Sequence, residues 1–294
     1  MLSATIKPIN ATLTSKLMNN YYKEKYTLFT HVKYACLLIP GNDLGELQQV
    51  IGFLREKLYS EQNKGSGKEY DLDGRDAYYH HVLIWDNERQ SIVAGCRIMP
   101  SFAIKESQHS YLEYSFPGLY HQWSNHFTFV EMGRAFVTKS YQKNYSSFLL
   151  LSRVVHAFCK KNQLRHLVGL ASYNPDKYDF RYNQILINSL KNSFFMDASK
   201  PIPNPRFSLN IGLSEQIDQL PDTLNIKSMR ELATLLSSHT ENAEKIPVLI
   251  RQYIEGMRAK VLGFAQARGF NNAVEILVCV DLEMQPSYRL QKFS

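Results

Sequence analysis

Two charged residues, Glu131 and Arg134, interrupt an apolar run at about 126–137 that is otherwise typical of a buried strand. Burying an ionised carboxylate or guanidinium without a partner costs several kcal/mol. Strand side chains alternate between faces, so residues three apart reach one cleft only if the strand bulges, and Gly133 is the expected position. Glu131 and Arg134 therefore either face one cleft together or form an internal ion pair.

A second group of charges precedes this strand. Asp71, Asp73 and Asp76 follow Glu69 in a Gly-rich loop, and Arg97 lies inside the apolar stretch "VAGCRIMPS". Such a loop is usually solvated, and it lacks the remaining ligands and the twelfth-position Glu of a calcium loop. A buried Arg needs a carboxylate partner, so the sequence predicts one polar cluster within an apolar domain.

The stretch "SYQKNYSSF", residues 140–148, joins the predicted strand to a Leu-rich helix. The first backbone N–H groups of a helix have no partner within it, and together with the helix dipole they favour an anion such as phosphate. Gln142 and Lys143 can add donors. The alternative is that Ser146 or Ser147 only caps the helix.

The elements that must position these residues follow from apolar periodicity. We predict helices at 44–58, from 146, near 179–192, at 227–239 and at 247–268, and strands at about 79–86, 91–98, 126–137, 164–173 and 273–282. Helices and strands alternate along most of the chain. This order predicts the α/β fold class.

Bulk composition narrows the class of protein. The chain has 294 residues, 44% of them hydrophobic, and a net charge of +7. A basic surface favours acidic partners such as nucleic acid, anionic lipid, a carrier protein or phosphate-bearing substrates. No nucleic-acid recognition motif is present, so we expect no nucleic-acid partner.

Cysteine usage and hydropathy give expectations about compartment. Four isolated Cys among apolar residues indicate reduced, buried thiols, with neither a disulfide framework nor a zinc site. No stretch reaches the roughly 18 apolar residues of a spanning helix, and the N-terminus lacks the apolar core of a signal peptide. We expect a cytoplasmic protein, at most peripheral at the inner membrane.

Together these motifs resemble the acyltransferase branch of the GNAT superfamily. They are similar to bacterial ornithine- and glycine-lipid synthases and to N-acyl amino acid synthases, and more distantly to acyl-homoserine-lactone synthases. The likeness covers about residues 45–294. The matching positions are Arg55 in "FLREKLY", Glu69, Asp71 and Asp76 in "KEYDLDGRD", Arg97 in "VAGCRIMP", and Glu131 and Arg134 in "EMGRAFV". One departure is the usual Gly-containing pyrophosphate loop, where Tyr145 and Ser147 occupy the Gly positions.

The resemblance implies a GNAT-like fold with a central twisted mixed sheet flanked by helices. The whole chain, 1–294, would form a single acyltransferase domain. Residues 1–40 would be an N-terminal extension, and about 195–270 would be helical additions.

The resemblance also implies an N-acyltransferase. It would move a fatty acyl group from an acyl carrier protein or coenzyme A thioester to the amine of an amino acid or related amine, giving an N-acyl amino acid or aminolipid precursor. No permanent cofactor and no metal are implied, and the carrier protein is the expected partner. The alternative is a GNAT-like binding or regulatory module without catalysis.

The implied site residues fall into three groups. The catalytic group is Glu131, Arg134 and Arg97. The substrate-binding group is Arg55, Glu69, Asp71, Asp76, Phe136 and Val137, with Asp73 as an alternative to Asp76. The group that binds the donor's phosphopantetheine arm or the carrier is Lys139, Gln142, Lys143, Asn144, Ser146 and Ser147.

Overall fold

The computed structural model describes residues 14–16, 18–123, 127–142, 145–196, 204–210, 226–240 and 245–284. The chain divides into two compact units. Unit one comprises Met1–His109 and Met132–Leu164, and unit two comprises Ser110–Glu131 and Arg165–Ser294.

In its described residues, unit one contains four consecutive antiparallel strands, one short helix and two long helices. The strands are β1 (Thr27–His31), β2 (Tyr34–Pro40), β3 (His80–Asp86) and β4 (Ser91–Pro100). The helices are α1 (Lys23–Tyr26), α2 (Leu47–Ser60) and, after the next strand, α5 (Tyr145–Lys161). Strands β3 and β4 are buried along almost their whole length. This explains why both are apolar at consecutive positions rather than at alternate ones.

Helix α2 packs on this sheet through one face. Leu47, Val50, Ile51 and Leu58 recur at helical spacing and join a core that includes Trp85 of β3. Two charged residues of the same helix, Arg55 and Glu56, are also buried. Those two positions are explained by the polar groups they contact, not by packing.

Unit two contains two short helices followed by three strands and further helices. Its helices are α3 (Tyr111–Ser115), α4 (Leu119–Trp123), α6 (Phe180–Ser193), α7 (Met229–His239) and α8 (Val248–Arg251). Its strands are β6 (His166–Tyr173), β7 (Lys260–Ala267) and β8 (Ala273–Asp281), and β8 pairs antiparallel with both others.

Strand β5 (Phe129–Val137) has residues in both units, and the strand order of the eight-stranded sheet is β1-β2-β3-β4-β5-β6-β8-β7. The predicted α/β fold class is confirmed. One element prediction was wrong: residues 260–267 are strand β7, not helix. The apolar residues there satisfy either periodicity, and pairing with β8 decides the conformation.

Strands β1 and β2 also lie within the range predicted as an N-terminal extension. The apolar run "YACLLIP" is β2, which pairs antiparallel with β3 in a register of seven consecutive residue pairs. Residues 27–40 are therefore part of the sheet. The prediction of a single domain stays a prediction.

Candidate functional site

Unit one holds a buried network of three arginines and three aspartates. We call it the arginine–aspartate cluster: Arg55, Asp71, Asp73, Asp76, Arg97 and Arg134. Helix α2 supplies the first arginine, β4 the second and β5 the third, while the aspartates come from the loop between α2 and β3. The structure thus brings together most of the residues that the sequence analysis grouped.

Asp76 is the centre of the cluster. Arg55 binds it with two hydrogen bonds of 2.9 Å each, from Nη1 and Nη2 to the two carboxylate oxygens. Arg97 Nη1 adds a third at 3.0 Å, and the backbone N–H of Asp73 adds a fourth at 3.0 Å. Because Asp76 is fully buried, these donors replace all of its hydration.

Asp73 occupies the outer side of the cluster. It accepts hydrogen bonds from Arg97 Nη1 at 2.7 Å and Nη2 at 3.2 Å, yet its side chain is 25% exposed. Asp76 is therefore the internal anchor, and Asp73 is the aspartate that can reach a ligand. Both belong to the arginine–aspartate cluster, and which of them binds substrate stays a prediction.

Arg134 enters the cluster because the backbone of β5 is distorted at that residue. Its φ is +52°, a left-handed conformation that L-residues rarely adopt. Its Nε lies 3.0 Å from Asp71 Oδ2, and its side chain is 13% exposed. The sequence analysis placed the irregularity at Gly133, but the left-handed residue is Arg134. A side chain held by ion pairs compensates for the strain.

The charges of the cluster stabilise the ionised aspartates. Burial by itself raises the pKa of Asp76, but the hydrogen bonds from Arg55 and the charge of Arg97 outweigh it and hold the pKa well below the ordinary value. Burial also raises the pKa of Asp73, but the charge and hydrogen bonds of Arg97 lower it by more. The pKa of Asp73 is therefore below its ordinary value as well. Both carboxylates therefore stay ionised at neutral pH.

His81 of β3 is a cluster neighbour that the sequence analysis did not identify. It is 2% exposed, and its Nε2 donates to the backbone carbonyl of Asp76 at 2.9 Å. Burial lowers its pKa to about 4, although the Asp76 carbonyl and carboxylate favour the charged form. The signal in the sequence was a polar residue within the apolar run "HHVLIWD".

Glu69 does not join the cluster. It is exposed, and its described interaction is with the neighbouring Tyr70. Arg55, Asp71 and Asp76 are each at most 5% exposed. These three therefore hold the loop in place, and their role in substrate binding stays a prediction.

Glu131 lies in unit two and contacts the beginning of helix α3. Its Oε2 accepts from the Ser110 hydroxyl at 2.6 Å, and its Oε1 accepts from the backbone N–H groups of Tyr111 and Leu112 at 3.1 Å each. Glu131 is 2% exposed. Three donors at a helix N-terminus fix this carboxylate and favour its ionised form.

The predicted donor loop follows β5 in unit one. Thr138 anchors its start through an N–H bond of 2.9 Å to the Val93 carbonyl, and the Tyr141 hydroxyl donates to Asp86 at 2.9 Å. Lys139 is 79% exposed, and Gln142 donates to the Val137 carbonyl at 3.1 Å. Lys143 and Asn144 lie outside the described residues, and so does the side chain of Ser146.

Ser147 is the third residue of α5 and is 1% exposed. Among the residues that the structure describes, its hydroxyl has no hydrogen-bond partner. A capping serine would accept a backbone N–H, so this geometry does not support the capping alternative for Ser147. A buried, unpaired hydroxyl near a helix N-terminus fits an anionic ligand.

Phe136 and Val137 were predicted to contact substrate. Phe136 instead belongs to the apolar core of unit one, and its ring lies over Gly95 of β4, where a Cβ would come within 2.8 Å. Val137 is half-buried. In the same stretch the Ala135 carbonyl accepts from the Tyr59 hydroxyl at 3.3 Å. Substrate contact by these residues stays a prediction.

Two further buried polar residues were missed. Glu56 of α2 accepts from the N–H groups of Ser66 and Gly67, which closes the loop after that helix. Glu275 of β8 is 5% exposed inside the strand predicted at about 273–282. In each case the available signal was an acidic residue inside an apolar pattern.

Family comparison agrees with this geometry. A family model described as an acetyltransferase (GNAT) domain matches residues 54–152. Residues 54–152 carry a GNAT domain. The match spans the arginine–aspartate cluster, Glu131 and the beginning of α5, so the resemblance noted from the motifs is confirmed and the domain is of an acyltransferase type.

Individual relatives are distant. The chain is 22% identical to a glycine N(alpha)-acyltransferase of Phocaeicola vulgatus, over 94% of this chain and 88% of that protein. Two solved structures are similar at low identity: the CoA-dependent acyl-homoserine lactone synthase BjaI, 15% identical with a TM-score of 0.44, and the acyl-homoserine lactone synthase LasI, 13% identical with a TM-score of 0.46. The alignment with BjaI covers 87% of this chain and 85% of BjaI, and the alignment with LasI covers 90% of this chain and 97% of LasI.

Two absences apply to the described residues alone. Within them, no group of three His, Cys, Asp or Glu side chains is arranged to hold a metal ion. Across the same ranges, no helix has both the length and the apolar character needed to cross a bilayer.

Proposed function

We propose that this protein is an N-acyltransferase that transfers a fatty acyl group from a carrier-protein or coenzyme A thioester to the amine of an amino acid. The observation that carries the proposal is the GNAT match over 54–152, which contains both the arginine–aspartate cluster and the start of α5. The distant likeness to a glycine N-acyltransferase supports an amino acid as acceptor.

Charge distribution supports a carrier protein as the donor. Unit one contains 19 Lys and Arg against 12 Asp and Glu, whereas unit two contains 15 of each, so the whole net charge of +7 lies in unit one. That unit also holds the donor loop and α5. An acidic carrier would be attracted to it, and one phosphate on a pantetheine arm could bind at the N-terminus of α5 beside Ser147.

The partly exposed members of the cluster are our candidates for acceptor binding. Asp73 and Arg134 are 25% and 13% exposed, and they carry opposite charges, as an amino acid does. Asp73 can bind the ammonium group and Arg134 the carboxylate. Arg55, Arg97 and Asp76 hold these two side chains in place.

Glu131 is our candidate base. In acyl transfer the acceptor ammonium first loses one proton to water, and the neutral nitrogen then attacks the thioester carbon and passes a second proton to Glu131. The C–S bond breaks, and the departing thiolate takes that proton from Glu131 and leaves as the thiol. The nitrogen becomes strongly acidic as its bond to carbon forms, so a carboxylate kept ionised by three donors can still take the proton, directly or through one water. Backbone N–H groups near 135–137 are candidates for the oxyanion, at about 3 kcal/mol per donor.

We further propose that the enzyme works in the cytoplasm, where its four free, buried cysteines stay reduced. A peripheral contact with the membrane would give an N-acylated, lipid-like product a route into the bilayer. Labelled vesicles in a flotation assay, with and without the acyl donor, would test that contact.

The decisive experiment incubates the protein with acyl carrier protein and coenzyme A thioesters and a panel of amino acids, and measures thiol release and product mass. We expect N-acyl amino acid from at least one pair. Glu131→Gln keeps an acceptor oxygen for Tyr111 and Leu112 and should fold, yet transfer should slow about 100-fold or more.

The other candidate is a GNAT-like module that binds without catalysis, and the replaced Gly positions at Tyr145 and Ser147 are its main support. Absence of product from every pair, in a protein that melts cooperatively, would favour that module. A folded Glu131→Gln variant with unchanged turnover would remove Glu131 from the mechanism and leave the acyltransferase proposal in place.

A further inference from the structure

In unit two one tyrosine connects two buried carboxylates. The backbone N–H of Tyr111 donates to Glu131 Oε1 at 3.1 Å, and the hydroxyl of the same residue donates to Glu275 Oε1 at 2.9 Å. Glu131 and Glu275 are 2% and 5% exposed. They lie on different strands, β5 and β8, and 144 residues apart in the chain.

Glu275 has a second contact with the same helix. The hydroxyl of Ser115, the last residue of α3, donates to Glu275 Oε2 at 3.2 Å. Position 275 is firmly held, because it pairs with Ser172 of β6 on one side and Ala265 of β7 on the other. Glu275 is thus a rigid point to which both ends of α3 are attached.

The N-terminal end of α3 is attached to Glu131. Ser110 caps the helix by accepting the N–H of Glu113 at 3.0 Å, and the same hydroxyl donates to Glu131. At the C-terminal end, Arg206 donates from its backbone N–H to the Ser115 carbonyl at 2.8 Å and from Nε to the Tyr114 carbonyl at 2.7 Å. A cation there favours the helix dipole.

A five-residue helix is not stable by itself, because one turn costs more in backbone entropy than its hydrogen bonds return. The position of α3 must therefore come from its tertiary contacts. Its N-terminal N–H groups are also what hold the Glu131 carboxylate. Whatever fixes α3 consequently fixes Glu131.

We propose that Glu275 is a positioning residue for Glu131: acting through Tyr111 and Ser115, it holds α3 where the helix N-terminus orients Glu131 and keeps it ionised. This inference rests on the proposed function, in which Glu131 accepts the proton of the acyl acceptor. It adds a residue that neither the motifs nor the family resemblance indicated.

The titratable groups on the elements around Glu131 in unit two lie on one helix and two strands. Helix α3 carries Tyr111, Glu113 and Tyr114, β6 carries His166 and Tyr173, and β8 carries Glu275, Cys279 and Asp281. Glu113 is itself engaged by the backbone N–H groups of Gly118 and Tyr120. Removing the Tyr111 hydroxyl removes no charged side chain and breaks the hydrogen bond that links the beginning of α3 to Glu275.

The test is Tyr111→Phe, with Tyr120→Phe as the matched control that removes a hydroxyl elsewhere in unit two. We expect the acidic limb of the kcat/KM profile to move up by about half a pH unit or more, with kcat reduced several-fold and the KM for the amine little changed. The control should match the parent protein.

A second readout does not depend on activity. Isotope-edited infrared spectra, taken as the difference from Glu131→Gln, report the protonation midpoint of Glu131, which should rise in Tyr111→Phe. Ser115→Ala should show a smaller shift in the same direction. Glu275→Gln should retain more of the parent behaviour than Glu275→Leu, because an amide oxygen can still accept from Tyr111.

The outcomes separate the two proposals. A folded Tyr111→Phe whose infrared midpoint is unchanged overturns the positioning role. If Tyr111→Phe does not fold, an unchanged midpoint in Ser115→Ala has the same meaning. A shifted midpoint in a protein without transferase activity supports the positioning role and contradicts the proposed function.

Discussion

At the scale of single residues, planar guanidinium groups decide the geometry of the arginine–aspartate cluster. Arg97 bridges Asp73 and Asp76 from one side chain, and Arg55 binds Asp76 with both terminal nitrogens. A lysine ammonium is a point charge and cannot reproduce two parallel contacts. The cluster therefore depends on arginine in particular and not on positive charge alone.

Arg97→Ala should destabilise the protein by about 3 kcal/mol or more, because it leaves the fully buried Asp76 with one cation fewer. Arg97→Lys keeps the charge but loses the paired geometry, so it should fall between the parent and the alanine variant in stability and in turnover. Urea unfolding measured beside turnover checks both. Exposed Arg89→Ala is the control, and an Arg97→Ala variant that equals it would show that Arg97 has no buried partner.

His81 predicts a pH dependence of stability. Burial lowers its folded pKa from 6.5 to about 4, so between these values the unfolded chain binds a proton that the folded protein does not. The free energy of unfolding should therefore fall by about 3 kcal/mol as the pH drops from 6.5 to 4, and this contribution is fully present above pH 6.5.

Denaturant unfolding between pH 4 and pH 7 measures this slope. His81→Gln keeps a donor for the Asp76 carbonyl and should flatten it, whereas exposed His121→Gln should not. Equal slopes in the parent and His81→Gln would mean that His81 titrates normally in the folded protein. Below pH 4 a further loss is expected as Asp73 and Asp76, with lowered pKa values, take up protons.

At the scale of elements, the distortion of β5 decides which side chains can meet. A regular strand would point Glu131 and Arg134 to opposite faces. The left-handed backbone at Arg134, with φ of +52°, turns its side chain into the cluster of unit one. The backbone strain is located where a charged side chain is redirected into the arginine–aspartate cluster.

Arg134→Gly should be more stable than Arg134→Ala by about 1 kcal/mol, because glycine adopts positive φ without a Cβ clash. Both variants lose the ion pairs with Asp71 and Asp73, so their difference isolates the backbone. Thermal unfolding of the two proteins checks it. Arg97 lies in the regular strand β4, so there the alanine variant should be more stable than the glycine variant. If the two replacements have the same order of stability at both positions, the backbone strain assigned to Arg134 is contradicted.

At the scale of the whole molecule, the charge is unevenly distributed between the two units. Unit one carries the entire excess of +7 together with the loop that we propose binds the acyl donor. Long-range attraction from such an excess raises the rate of encounter with an acidic protein and weakens with salt. The uneven distribution of charge is therefore the reason that we propose an acidic carrier protein as the acyl donor.

Reversing Lys139 and Lys143 to Glu should raise the KM for a carrier-bound donor several-fold and reduce its dependence on ionic strength. The KM for the matching coenzyme A thioester should change less. Lys227→Glu with Lys245→Glu makes the same charge change on unit two and is the control. If the two double variants behave alike, the carrier docks elsewhere.

The sequence by itself determined the fold class and most elements, because apolar periodicity is set by burial and needs no knowledge of partners. It also determined that Arg97, Arg134 and the loop aspartates belong together. Unpaired burial costs several kcal/mol, so charged residues within apolar strands must find each other. The GNAT resemblance rested on these same residues.

The tertiary structure alone decided which of these residues is an anchor and which can reach a ligand. The sequence does not distinguish Asp73 from Asp76. The packing of α2 and β4 around them leaves the side chain of Asp73 25% exposed and that of Asp76 fully buried. The strand at 260–267, the left-handed Arg134 and the link from Glu275 through Tyr111 to Glu131 are likewise non-local. Each depends on contacts between residues far apart in the chain, and local patterns carry no information about such distances.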